Sequence, residues 1–304
     1  MATQKCLAVI GGNGFLGKQK LLHSHAPTPC IMAAIQRNWK VISLSRSGEP
    51  DWKHSSQNGN RPDWAENVTW VSADVFEPAT YKSHLTSADA VVHSMGLLLE
   101  ADYKGVLQGK ENPITGLRKA FQESGNPWPK SENPLEKVPP SSDAGSESTS
   151  SEAKQPLTYE RINRDSALIA AKSFVESSKA ERKTFVYISA AAGFPVLPQR
   201  YISTKRETEE LLAQVPDFRS IFFRPGFMYS SERPATVAMS YLTRVSATMN
   251  SITGKVFSGL FGAAGASPLQ AENVGRAVVR AIEDEAVKGP VEVAQIETLN
   301  SRLD

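Results

Sequence analysis

The chain has 304 residues, 40% apolar and 22% charged, with 34 Lys and Arg against 32 Asp and Glu. This is ordinary globular composition, enough for a packed core and against global disorder. The net charge of +2 removes the long-range attraction for phosphate backbones that marks a dedicated nucleic-acid binder. No apolar run reaches the roughly 20 residues needed to span a bilayer. Two cysteines, Cys6 and Cys30, cannot form a disulfide framework, and the five histidines add no zinc-ligand spacing, so no metal site is expected.

Short Val/Ile/Phe-rich runs bounded by breakers predict strands at Leu7–Ile10, Val41–Leu44, Val68–Ser72, Ala90–His93, Phe185–Ser189 and Ser220–Arg224. Apolar residues spaced by three and four predict helices at Asn163–Glu176 and Ser203–Gln214, with a late helix near Glu272–Asp284 and a final strand near Val291–Ala294. Strands alternating with helices imply parallel crossovers, hence an α/β doubly wound sheet in a single domain over residues 1–304. No internal repeat is visible. The run Cys6–Ile10 begins so early that a signal peptide or Arg-rich presequence has no room, and the residues alone favour the cytosol.

Two segments depart from this pattern. From Ser124 to Pro156 the chain is dominated by Ser and Pro without apolar periodicity, which reads as a mobile insertion. It is expected to be a loop on one domain, because the strands before it are incomplete without those after it. Between Lys18 and Cys30, Pro27 and Pro29 would break any continuous first helix. Residues 19–29 are therefore read as an insertion, in which His23 and His25 lie on a solvated loop.

After the first strand comes Gly11-Gly12-Asn13-Gly14-Phe15-Leu16-Gly17, which satisfies both GxxGxxG and GxGxxG. Glycines at this spacing allow a tight turn, close backbone approach to a pyrophosphate and close helix–strand packing. The following helix N-terminus offers unpaired N–H groups and a positive dipole end. Between a strand and a helix, this motif predicts dinucleotide binding. The second strand runs into Ser45 and Arg46 with no acid before Glu49. An acidic residue here would suit a free ribose 2′-hydroxyl, an arginine a 2′-phosphate, so NADP(H) is favoured over NAD(H). Asp74 and Val75 follow the third strand and Ser94-Met95-Gly96 the fourth, at carboxyl ends where ligands bind in such sheets.

Tyr201-Ile-Ser-Thr-Lys205 is the chain's one YxxxK. At i,i+4 the two side chains share a helical face, where a lysine ammonium lowers the tyrosine pKa toward that of a working acid/base and can bind a nicotinamide ribose. A solvated lysine at an exposed helix start is the plain alternative. Ser189 ends the fifth strand and is the candidate hydroxyl donor to a reacting carbonyl, against a simpler role at the strand end.

Gly11–Gly17, Asp74, Asn163, Tyr201 with Lys205, and Arg224-Pro225-Gly226 occur in the order seen in the extended and atypical short-chain dehydrogenase/reductase superfamily, which the chain resembles. Ser189-Ala-Ala-Ala-Gly-Phe-Pro, Tyr201-Ile-Ser-Thr-Lys-Arg-Glu, Arg224-Pro-Gly-Phe-Met-Tyr and His93-Ser-Met-Gly-Leu-Leu-Leu-Glu100 are similar to the fungal mitochondrial family that accompanies the coenzyme Q biosynthetic complex. That family is related to the NADPH-binding accessory subunit of respiratory complex I. The resemblance implies a Rossmann domain with a C-terminal substrate lobe from about residue 227, a place on the matrix side of mitochondria, and coenzyme Q complex proteins as partners. It implies Tyr201 as proton donor or acceptor, Lys205 as its modulator, and Pro225 and Gly226 along the nicotinamide. It also exposes a departure: superfamily enzymes place Ser or Thr a couple of residues beyond the fifth strand, where this chain has Ala190 and Ala191.

Residues 237–269 are rich in Ala, Ser, Gly, Leu and Phe, with Arg244 and Lys255 as their only charges. A mostly apolar pocket there suits a polyprenylated aromatic molecule, with membrane contact at most peripheral, although ordinary packing explains the same composition. Three roles remain open: an oxidoreductase, a cofactor-dependent scaffold, and a redox sensor within a complex. A sugar-nucleotide epimerase is disfavoured, because this lobe lacks the basic residues that diphosphates require.

Overall fold

The computed structural model describes residues 4–11, 29–56, 59–96, 158–192, 198–226, 228–229 and 269–301. All but Thr158 belong to one unit made of residues 1–98 and 159–304. The strands are β1 Cys6–Ile10, β2 Lys40–Ser45, β3 Val68–Ser72, β4 Ala90–His93, β5 Thr184–Ile188, β6 Arg219–Phe223, β7 Met228–Tyr229, β8 Leu269–Gln270 and β9 Gly289–Val291. Seven form one parallel sheet in the order β3-β2-β1-β4-β5-β6-β9, while β7 and β8 pair separately. The helices are α1 Pro29–Gln36, α2 Trp52–Ser55, α3 Ser166–Ser177, α4 Gln199–Ala213, α5 Ala271–Glu283 and α6 Val293–Ser301. This is the doubly wound parallel sheet that the alternation of runs predicts.

Strand side chains alternate between faces, and both faces are buried, as parallel crossovers require. Leu7, Val9, Val41, Val92, Val186, Ile221 and Phe223 face α1, α5 and α6. Ala8, Ile10, Ile42, Leu44, Val91, Phe185, Tyr187 and Phe222 face the other way, toward α3 and Leu212 of α4. Edge strand β3 is finished on the first face by a cluster of Trp52, Trp64 and Trp70, with ring centroids 5.5–6.3 Å apart. Connectivity reverses between β1 and β4, so a crevice opens at their carboxyl ends, where open α/β sheets bind ligands.

Three expectations are adjusted. The last strand ends at Val291, and Val293 and Ala294 already belong to α6, not to a strand. The Gln295 side chain accepts the Glu292 N–H at 2.9 Å, capping the helix where the strand was expected to continue. Helix α4 starts at Gln199, ahead of the expected Ser203, placing Tyr201 inside its first turn. The helix expected from Asn163 begins instead as a π-helical turn, Glu160–Asp165. Pro29 opens α1, a position where its missing N–H has no cost. The rest of the proposed 19–29 insertion, the 124–156 segment and residues 230–268 of the substrate lobe lie outside the described residues.

Candidate functional site

Gly11 closes β1 with a φ of +89°, and its N–H donates to Leu44 O at 2.9 Å. A Cβ there would come within 2.8 Å of Met95 Cγ and 3.2 Å of Ser94 Oγ, so only glycine lets the β1 and β4 loops meet. Ser94 fixes the same junction, its N–H and hydroxyl both donating to Ile10 O at 3.0 and 2.9 Å. Gly12, Asn13, Gly14, Phe15, Leu16 and Gly17 lie outside the described residues.

At the β2 end, the Ser45 hydroxyl donates to Gly48 O at 3.0 Å, and Arg46 is an exposed side chain whose carbonyl accepts from Ser72. Asp74 accepts the Phe76 N–H at 2.9 Å, while Val75 is buried and its carbonyl accepts the Tyr81 hydroxyl. These turns hold the expected adenosine-side residues at the carboxyl ends of β2 and β3.

On the other side of the crevice Gly96, Asn163 and Lys205 converge. A Cβ on Gly96 would lie 3.5 Å from both Asn163 Oδ1 and Lys205 Nζ. Asn163 and Lys205 are both buried. Lys205 Nζ donates to Ile188 O at 2.9 Å and lies 4.5 Å from the Tyr187 ring centroid. Burial, opposed by the Glu209 charge, pushes its pKa down to about 7. Tyr201 packs edge-on against Tyr159, ring centroids 5.8 Å apart, and burial pushes its hydroxyl up to about 12. The lysine-assisted lowering expected from the YxxxK spacing is therefore absent here. Desolvation disfavours charge on both groups, and the amine is turned to a strand carbonyl, 6.0 Å from the Tyr201 ring centroid.

Ser189 is held elsewhere. Strand parity puts it on the α4 face, where its hydroxyl donates to Glu209 Oε1 and accepts from Arg206 Nη1 at 3.0 Å. Glu209 is buried and also paired with Arg224, which reaches Glu292 at 2.7 Å. Arg206 bridges on to Ala190 O at 2.7 Å. The described hydrogen bonds of the Ser189 hydroxyl thus lead into this ion cluster and not to Tyr201 or Lys205. Sequence reasoning missed the cluster; its one local signal is the i,i+3 pair Arg206 and Glu209. Pro225 is buried and accepts the Ala191 N–H at 2.8 Å; Gly226 follows, 3.8 Å from Val293 Cγ2 at its Cβ position. Among the described residues, no His/Cys/Asp/Glu group could hold a metal ion and no helix is long and apolar enough to cross a membrane.

The reversal between β1 and β4 and the glycine that closes β1 define a doubly wound, Rossmann-type fold, with the Tyr–Lys pair on α4. No family model matches the chain. Its sequence is 35% identical over 247 residues to MIOREX complex component 2 of Saccharomyces cerevisiae, covering 78% of this chain and 77% of the relative, and the chain belongs to that protein's family. An uncharacterized chloroplastic protein of Arabidopsis thaliana is 36% identical over 114 residues, 38% of this chain and 32% of that protein. Among solved structures, the Bordetella bronchiseptica enzyme WbmF in complex with NAD+ and UDP has the same fold, with TM-score 0.50 and 13% identity over 98% of this chain and 77% of that one. UDP-N-acetylglucosamine 4-epimerase from Methanobrevibacter ruminantium M1 gives TM-score 0.49 at 16% identity over 96% and 76%.

Proposed function

We propose that the chain is a nicotinamide-dinucleotide-binding accessory component of a mitochondrial protein assembly, on the matrix side and in support of ubiquinone synthesis. Its partners are proteins of that assembly. One observation carries the reading: a ribose-side grip of Gly96, Asn163 and Lys205 stands beside a serine committed to an ion cluster. Such a crevice holds a coenzyme without the hydroxyl donor that speeds carbonyl chemistry, and one missing donor of that kind costs about two to three powers of ten in rate. The yeast relative, by name a complex component, supports a role within an assembly.

The residues fit the coenzyme. Glycine at 96 keeps a side chain out of the space between Asn163 Oδ1 and Lys205 Nζ, and glycine at 11 lets the β1 and β4 loops close up beneath it. Gly11–Gly17 would take the diphosphate, Ser45 and Arg46 a 2′-phosphate, Asp74 and Val75 the adenosine, and Ser94–Gly96 with Lys205 the ribose. Pro225 and Gly226 would line the nicotinamide. Arg46 at the β2 end makes NADP(H) the preferred form. Bound there, the coenzyme supplies a transferable hydride. Of the chain's own groups, Lys205 would gain a proton beside ribose and phosphate oxygens, and Tyr201 would hold its proton at the phenolic oxygen.

A second reading, an oxidoreductase acting on a polyprenylated aromatic molecule, is favoured by Tyr201 lying one turn before Lys205 on α4, with Lys205 beside Asn163. Tyr201→Phe separates the two in cells that depend on this protein for ubiquinone. An accessory component keeps ubiquinone at the wild-type level with coenzyme binding intact. Loss of ubiquinone with binding retained would overturn the accessory reading.

A further inference from the structure

The turn that carries Asn163 is not an ordinary helix start. In Glu160–Asp165 the backbone is π-helical, and the Ser166 N–H reaches back five residues to Arg161 O. An α-helix would have given that N–H to Ile162 O. Here Ile162 O instead accepts the Ser166 hydroxyl, at 2.6 Å and buried. That hydroxyl has one proton and it is committed, so the 2.9 Å contact between Ser166 Oγ and His93 Nε2 is a donation from the imidazole N–H. Burial holds His93 neutral, with its pKa down to about 3. Next to Ile162, the Asn163 carbonyl accepts the Tyr187 hydroxyl at 2.7 Å, also buried.

Side chains from α3 and β5 thus take two carbonyls of a turn whose backbone pairing is displaced by one residue, and His93 of β4 braces the Ser166 hydroxyl that takes one of them. Relaxing it to α-helix would rotate Asn163 by about 100° about the helix axis, away from Lys205. His93 precedes Ser94-Met95-Gly96, so the clamp ties the loop bearing Gly96 to the turn bearing Asn163. Isolated π-turns in α-helices recur at functional sites.

We propose that His93, Ser166 and Tyr187 are positioning residues that hold the π-turn open, so that Asn163 faces Lys205 across Gly96 and the two grip the nicotinamide-side ribose of a bound coenzyme. This rests on the coenzyme-binding reading above. The clamp acts on one half of the ligand only, and half-ligands expose it.

The test is calorimetric titration of the full chain and of Ser166→Ala, Tyr187→Phe and Ser166→Thr with NADPH and with 2′,5′-ADP, and in parallel with NADH and ADP. Circular dichroism verifies folding of each. Ser166→Ala and Tyr187→Phe are expected to weaken the dinucleotide about tenfold while leaving the adenosine half-ligand within about twofold, as for a lost buried hydrogen bond. Ser166→Thr, which keeps the hydroxyl, is expected to restore the affinity. Parallel weakening of both ligands, or no weakening of either in the folded variants, overturns the clamp and leaves the coenzyme reading standing. Failure of the wild-type chain to bind either dinucleotide overturns the coenzyme reading itself, and the clamp with it.

Discussion

Lys205 turns its amine to the carbonyl of Ile188, 2.9 Å away, in a pocket walled by the Tyr187 ring. A lysine so placed is easier to keep neutral than charged, and its pKa of about 7 in the folded chain lies well below the ordinary 10.5. Between these values the unfolded chain binds the proton that the folded chain has released, so stability rises with pH. Below about 7 both states hold the proton and the full cost of burying the charge remains. Tyr201, raised to about 12, acts in the opposite sense only above pH 10. Of the other groups near Lys205, His93 titrates near 3, and Glu209 is tied to Arg206 and Arg224.

Urea unfolding of wild-type chain and Lys205→Met between pH 6 and 10 measures this directly. The wild type is expected to gain of the order of 3–5 kcal/mol relative to the variant from pH 7 to 10. A difference between the two that does not change with pH would contradict a neutral Lys205.

The Ser189 cluster predicts a separation between stability and binding. Ser189→Ala removes one donor to the buried Glu209 carboxylate and is expected to cost about 1–2 kcal/mol. Glu209→Gln leaves Arg206 and Arg224 without their shared carboxylate and is expected to cost about 3–5 kcal/mol. Ser189→Ala does not touch the Gly96–Asn163–Lys205 grip, so its coenzyme affinity is expected to stay within about twofold of wild type, whereas Glu209→Gln also removes a charge that acts on Lys205. Denaturant curves and calorimetry read the two quantities; a stable Ser189→Ala with abolished binding would make Ser189 part of the ligand site.

Gly275, in the middle of α5, is a packing glycine. A Cβ there would lie 2.4 Å from the Pro29 carbonyl carbon and 2.6 Å from Pro29 Cβ, at the start of α1. Helix propensity alone would reward Gly275→Ala by about 1 kcal/mol. The contact is with backbone that cannot swing aside, so the substitution is expected to destabilise by about 1–3 kcal/mol. A raised melting temperature in Gly275→Ala would show that α1 and α5 pack less closely than described.

The sheet was legible because its inner strands are buried on both faces and read as short, largely apolar runs. Val68–Ser72 and Ala90–His93 match the observed bounds, and the others differ by a residue at one or both ends. The final strand misled because Val291-Glu292-Val293 alternates as a strand would, whereas the Gln295 side chain caps the Glu292 N–H and starts a helix there. The π-turn left no trace, because a one-residue displacement of backbone pairing depends on His93 and Tyr187, distant in sequence. Residue identity placed Tyr201 and Lys205 on one helix, but the sign of their pKa shifts depends on burial, which spacing does not report. Ser189 shows the same limit: the run Phe185–Ser189 indicates its strand, whereas the charges that engage it come from α4 and the end of β6.

The most direct test of the coenzyme reading is calorimetric titration of the folded chain with NADPH and NADH, with Arg46→Ala alongside. Binding of both, tighter for NADPH, with the preference abolished by Arg46→Ala, is the predicted result. A folded chain that binds neither dinucleotide would contradict it.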